Sequence, residues 1–168
     1  LSLSFYIMKK PAGTAKMQEI SEIIHQGALT FLRKEYEVLT VFIVVIALVM
    51  AFFLDNGTKM AFSFIIGGVS SALAGNIGMR VSTKANVRAT EAAKGSIGDG
   101  LKVAFYSGSV MGLFAVGIGL LGITLLYVVF DDPNIIYGYG FGASSIALFA
   151  RVGGGIYTKA ADVGADLV

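Results

Sequence analysis

Residues 103–130 read VAFYSGSVMGLFAVGIGLLGITLLYVVF, twenty-eight consecutive residues without a charge. An α-helix of that length extends about 42 Å at 1.5 Å per residue, more than the roughly 30 Å of a bilayer's hydrocarbon core. The stretch therefore reads as a membrane helix that tilts or projects beyond the lipid. The rest of the chain agrees in composition: 55% of residues are hydrophobic, 14% are charged and the mean hydropathy is +0.77. A soluble domain carries about a quarter of its residues as charges.

Working outward, residues 60–79 form a second uncharged run of twenty residues and residues 38–54 a third of seventeen. Residues 1–8 are too short to cross and read as the end of a first helix. On the other side, residues 135–150 begin a last span that continues past Arg151 through VGGGIYT and carries the final element to residue 168. The expected fold is all-α: a polytopic integral membrane protein, one domain over residues 1–168, built as a bundle of about five transmembrane helices. Gly67, Ser71, Gly75 and Gly78 make a small-residue stripe that predicts close helix packing, and Gly108 with Gly112 makes a weaker GxxxG.

The connections are polar. Residues 9–37 are expected as a cytoplasmic loop holding an amphipathic helix, in which Met17, Ile20, Ile24, Ala28, Phe31 and Leu32 form the apolar face and His25 lies on the polar one. Asp55, Asn56 and Gly57 predict a tight turn. Residues 80–102 predict an aqueous loop with helical extensions, and residues 131–134, DDPN, a second turn. Of the thirteen Lys and Arg residues, five fall in 9–37, one in 55–59, five in 80–102, none in 131–134 and two in the terminal stretch. Positively charged loops stay in the cytoplasm. The alternation puts 9–37, 80–102 and the end after Tyr157 on that side. Cysteine is absent, which excludes disulfides and thiolate metal sites, and no basic surface of the kind that binds nucleic acid is present.

Charge returns in the last stretch, ARVGGGIYTKAADVGADLV, residues 150–168. On a helix, Arg151 and Asp162 fall within roughly 20° of one another and about 16 Å apart along the axis, and Asp166 lies about 40° further round. Lys159 sits almost a turn before Asp162, so the four share a face. Two carboxylates at i and i+4 suit Mg²⁺, which binds through one or two carboxylates plus substrate phosphates, and an ammonium beside them answers phosphate charge. The same residues also fit a helix leaving the bilayer, with Lys159 snorkelling and the aspartates in water. Ser107, Ser109, Ser144 and Ser145 lie in apolar helices with no histidine in range and read as helix–helix hydrogen bonders.

GGGIYTKAADVGADLV, residues 153–168, closely resembles the pyrophosphate-binding motif of the membrane-integral, ion-pumping pyrophosphatases, the proton- or sodium-translocating inorganic pyrophosphatases. GASSIALFARVGGG, RVSTKANVRATEAA, LKVAFYSGSVMGL and KPAGTAKMQEIS extend the resemblance over nearly the whole chain in order. The resemblance implies a Mg²⁺-dependent hydrolysis of pyrophosphate at the cytoplasmic face, coupled to H⁺ or Na⁺ transport, with K⁺ an activator in some members. Lys159 would contact pyrophosphate, Asp162 and Asp166 would hold Mg²⁺, and Arg151 would stand at the top of the ion gate. It further implies a homodimer, and the short polar N-terminal segment is read as pointing to a plasma membrane.

Family members are several times longer, so the chain is expected to be a fragment running from the end of helix 1 through helix 5. In the family, the residues that position the attacking water lie on later helices, so no catalytic residue is expected within it, and the fragment alone would be inactive. A secondary cation transporter or channel without hydrolytic activity is the alternative that the charges alone leave open.

Overall fold

The structure, a computed structural model, describes residues 2–167. Five helices follow one another: α1 (Ser2–Met8), α2 (Ala15–Phe53), α3 (Gly57–Ala93), α4 (Ile97–Phe130) and α5 (Pro133–Asp166), with no strand among the described residues. Four of them, α2 to α5, are long and apolar enough to cross a membrane. This is the all-α, multi-pass architecture that the uncharged runs predict.

The helices are longer than their apolar runs. The amphipathic stretch after Thr14 and the apolar run after Glu37 form the single 39-residue helix α2, about 58 Å long. Residues 80–93 are helix as well, because RVSTKANVRATEAA contains neither Gly nor Pro and ends in strong helix formers. Only residues 94–96 separate α3 from α4.

Short polar residues set the boundaries. Gly13 takes φ +76°, a backbone that side chains disfavour, and Thr14 Oγ1 then accepts a hydrogen bond from Met17 N at 3.4 Å to open α2. Asn56 at φ 55° closes the turn expected at Asp55–Gly57. Ser96 Oγ accepts from Asp99 N at 3.0 Å and caps α4.

By contacts the chain divides into two compact units, residues 1–32 with 74–117 and residues 33–73 with 118–168. The first has its core at Ile7, Ala85, Val103 and Val110, and Tyr6 meets Tyr106 edge-on at 5.4 Å between ring centroids. The second has its core at Ala47, Met50, Ala61 and Phe64. Here α3 and α5 touch backbone to backbone. A Cβ on Gly67 would overlap the carbonyl of Tyr139, and one on Gly142 the carbonyl of Phe64. Tyr139 hydroxyl donates to the Ile118 carbonyl of α4 at 3.2 Å, and Tyr36 hydroxyl to the Ala72 carbonyl of α3 at 2.8 Å. Small residues are what allow membrane helices such an approach.

Gly67 thus does what the stripe predicts. By contrast nothing lies within 4 Å of where a Cβ would sit on Gly108 or Gly112, so the GxxxG of α4 faces open space among the described residues. Around it Leu113, Val116, Leu120, Leu121 and Leu125 are exposed. Such a surface belongs against lipid or further helices.

One side chain breaks the pattern of the second unit. Glu35 lies one turn before the buried Leu39 on α2, and both of its carboxylate oxygens are enclosed with no hydrogen-bond partner among the described residues. An enclosed, unpaired polar atom costs stability, whereas a neutral isostere costs less. Glu35→Gln is expected to raise the unfolding midpoint of the protein in detergent by on the order of 1 kcal/mol. A lowered midpoint would show that the carboxylate has a partner.

Candidate functional site

The charged residues of the C-terminal stretch all stand on α5. Asp131, at φ 47°, turns the chain back, Asp132 caps the new helix by accepting from Asn134 N at 2.9 Å, and Pro133 takes the first turn, where its missing N–H is not needed. The first half of α5 is fastened to its neighbours through Ile135, Gly138, Tyr139, Gly142, Ser145 and Ile146, all buried. Phe42 and Phe149 add an edge-on ring contact at 4.9 Å. From Thr158 to Leu167 every residue is exposed. One half anchors the helix and the other presents its side chains.

The helix runs without interruption through Gly153, Gly154 and Gly155 to Asp166, so Arg151, Lys159, Asp162 and Asp166 belong to one rod. Lys159 Nζ lies 3.6 Å from Asp162 Oδ2, with the two side chains 78% and 66% exposed. A pair so open to water holds neither partner firmly and contributes less than about 1 kcal/mol. Arg151 and Asp166 are exposed and form no ion pair among the described residues. Among the described residues no cluster of three or more His, Asp or Glu side chains could enclose a metal.

Such an arrangement has definite chemical limits. Two carboxylates on adjacent turns and an ammonium beside them offer hard oxygen ligands and one positive charge to a metal–phosphate complex, and Mg²⁺ needs no more carboxylates than that when phosphate and water complete its shell. The donor set therefore fits the ion. Ser109 Oγ donates to the Phe105 carbonyl of its own helix at 2.9 Å. Ser109 is thus held by its own helix.

Sequence reasoning misplaced one polar residue. His25 is buried, and its Nδ1 lies 2.7 Å from Thr83 Oγ1 on α3. The inward face of α2 at this level is made of Ala28 and Leu32, one turn and two turns beyond His25, and the larger Ile20 and Ile24 point outward. The spacing 25, 28, 32 was the available signal, masked by the greater hydrophobicity of the outer isoleucines.

Fold and site together define a class: a multi-pass helical membrane protein that presents an ammonium and two carboxylates at the exposed end of a spanning helix. The sequence profile of the inorganic H⁺ pyrophosphatase family matches residues 1–168, and the chain belongs to that family. It is 50% identical over 162 residues to a K⁺-insensitive pyrophosphate-energised proton pump of Methanosarcina mazei, covering 96% of this chain and 24% of that protein. It is 54% identical over 167 residues to a putative K⁺-stimulated pyrophosphate-energised sodium pump of Clostridium tetani, covering 99% of this chain and 24% of that one. A K⁺-stimulated pyrophosphate-energised sodium pump of Thermotoga maritima is 44% identical over 186 residues, with 96% and 25% covered. The chain thus spans about a quarter of the length of these relatives. Proton and sodium pumps are matched almost equally, so the segment is common to both kinds.

Proposed function

We propose that the chain forms part of a pyrophosphate-energised ion pump, in which Lys159 contacts pyrophosphate, Asp162 and Asp166 hold Mg²⁺, and Arg151 stands deeper on the same helix at the top of the ion gate. The observation that carries the reading is the continuity of α5: phosphate- and metal-binding side chains and an arginine within the apolar stretch share one unbroken helix, in a chain whose relatives are named as pumps driven by pyrophosphate. The distribution of Lys and Arg supports a cytoplasmic position for residues 158–167. The rest of the site comes from further helices of the same subunit and the protein works as a homodimer in a plasma membrane; relatives' names record both K⁺-stimulated and K⁺-insensitive pumps, so K⁺ is an activator to be tested alongside Mg²⁺.

Magnesium bound there would neutralise the diphosphate and stabilise the charge that builds on the departing phosphate. Lys159 adds a mobile ammonium on an exposed stem, able to follow phosphate oxygens as they move. Asp162 and Asp166, on adjacent turns, orient the metal complex toward the side of α5 that they share. Arg151 has no acidic partner among the described residues and requires one at membrane depth. A change in charge around Asp162 and Asp166 then reaches Arg151 through the helix that carries them all.

The test is ion uptake by vesicles containing the complete protein. With Mg²⁺ present, pyrophosphate is expected to release phosphate and to acidify or load the lumen, and repeating the assay with and without sodium identifies the ion. Ion movement only down an imposed gradient, with no phosphate released, would overturn the reading in favour of a passive transporter.

A further inference from the structure

The first unit contains a second polar site, remote in sequence from α5. A cleft of about 270 Å³ opens between the end of α1, the connection after it, α2 and α3, and its polar lining is Gln18, Ser21, Glu22, His25, Lys84 and Arg88. We propose that this cleft binds a phosphate group, either free inorganic phosphate or the headgroup of an anionic lipid.

Charge is the first argument. Lys84 and Arg88 bring two positive charges against the single carboxylate of Glu22, and among the described residues neither cation has an ion pair. Their neighbour Lys94 differs, since Glu91 holds it at 2.6 Å. The acid that α3 could offer is therefore already committed. Glu22 itself accepts from Gln26 Nε2 at 3.2 Å, and Gln18 Nε2 is engaged by the Gly13 carbonyl at 3.0 Å.

Unmet hydrogen-bonding capacity is the second. Arg88 Nη1 donates to the Lys84 carbonyl at 2.6 Å, which holds the guanidinium, while Nε is enclosed with no acceptor among the described residues. Arg88 lines the cleft, and its remaining terminal guanidinium N–H groups match phosphate oxygens in charge and geometry.

His25 points the same way. Thr83 hydroxyl has one proton and lies 2.8 Å from the Met79 carbonyl; with the proton given there, Thr83 Oγ1 is the acceptor for a His25 Nδ1–H at 2.7 Å. In that arrangement Nε2 is left as an acceptor, and it has no partner among the described residues. A bare Nε2 accepts the hydroxyl of a monohydrogen phosphate, and a lipid phosphodiester has no such proton. The two sources thus differ in what they ask of His25.

The test uses the complete protein in phosphatidylcholine nanodiscs, on a Lys159→Ala, Asp162→Ala, Asp166→Ala background that removes the α5 motif from the measurement. Radiolabelled inorganic phosphate is titrated by equilibrium dialysis, and in parallel retained phosphatidylglycerol is counted by mass spectrometry after exchange into mixed-lipid discs. One bound phosphate or one retained phosphatidylglycerol per chain is expected, weakened at least tenfold by Lys84→Gln with Arg88→Gln. Glu22→Gln is expected to tighten whichever probe binds by about tenfold, and this variant keeps the test open if the double variant does not fold. A loss of phosphate but not of lipid on His25→Ala would assign the free ion. Binding of both probes that neither Lys84→Gln with Arg88→Gln nor Glu22→Gln changes, or no binding of either, overturns the proposal.

Discussion

Replacing Lys159, Asp162 and Asp166 together by alanine is expected to lower pyrophosphate-dependent phosphate release by the complete protein at least ~10³-fold, while its insertion and helix content stay as they were. The separation of the two effects follows from the geometry. Each side chain is exposed, and the one contact among them is the 3.6 Å pair of Lys159 and Asp162. Losing it costs less than about 1 kcal/mol. Removal of a single group that stabilises charge in a transition state typically costs about 10²–10³ in rate, and three groups acting on one complex are not additive. The single variants Asp162→Asn and Asp166→Asn are expected to need more Mg²⁺ for half-maximal activity, because each leaves one carboxylate for the ion. Phosphate release assayed across a Mg²⁺ titration checks both statements. Full hydrolysis in the triple variant would mean that pyrophosphate is held elsewhere.

Gly67→Val is expected to reduce the folding stability of the protein by about 3 kcal/mol or more, and Gly142→Val by a similar amount. At both positions the obstacle is main chain: the carbonyl of Tyr139 faces Gly67 and that of Phe64 faces Gly142. A flexible side chain can swing aside, but a helical carbonyl cannot, so α3 and α5 must separate and give up the packing of Phe64 on Phe141 at 5.2 Å. Gly98→Ala serves as the control. It stands near the start of α4 with its nearest neighbour, Ser96 Oγ, 3.8 Å from the added carbon, and replacing Gly by Ala in a helix is mildly stabilising. Unfolding by denaturing detergent, followed by circular dichroism, ranks the three. Equal behaviour of Gly67→Val and Gly98→Ala would mean that the helices do not cross there.

The helices themselves were legible because charge punctuates them. Asp55–Gly57 and Asp131–Asn134 end uncharged runs, and each turn contains a residue in the left-handed region, Asn56 and Asp131. What periodicity did not reveal is how each helix is rotated. His25 turns inward to Thr83 although its neighbours Ile24 and Ile23 are far more apolar, because it shares the packed face of α2 with Ala28 and Leu32 and finds a hydrogen-bond partner there. The glycine patterns show the same ambiguity. Gly67 meets a partner and Gly112 meets none among the described residues, and no feature of either motif distinguishes them. The face shared by Arg151, Lys159, Asp162 and Asp166 was legible from spacing alone, since it needed only that α5 be continuous. The cleft around Arg88 was not, because its lining comes from segments more than fifty residues apart, between His25 and Lys84.

Continuity of α5 through Gly153, Gly154 and Gly155 carries a mechanical consequence. Each glycine costs about 1 kcal/mol of helix stability relative to alanine, so roughly 3 kcal/mol is forgone within a single turn. That turn lies between Arg151 and Lys159, where nothing approaches the bare α-carbons of Gly154 and Gly155 within 4 Å of an added Cβ. The rod has its most compliant joint midway between the two ends it connects. Torque applied at Asp162 and Asp166 is delivered to Arg151 only up to the load at which this turn unwinds.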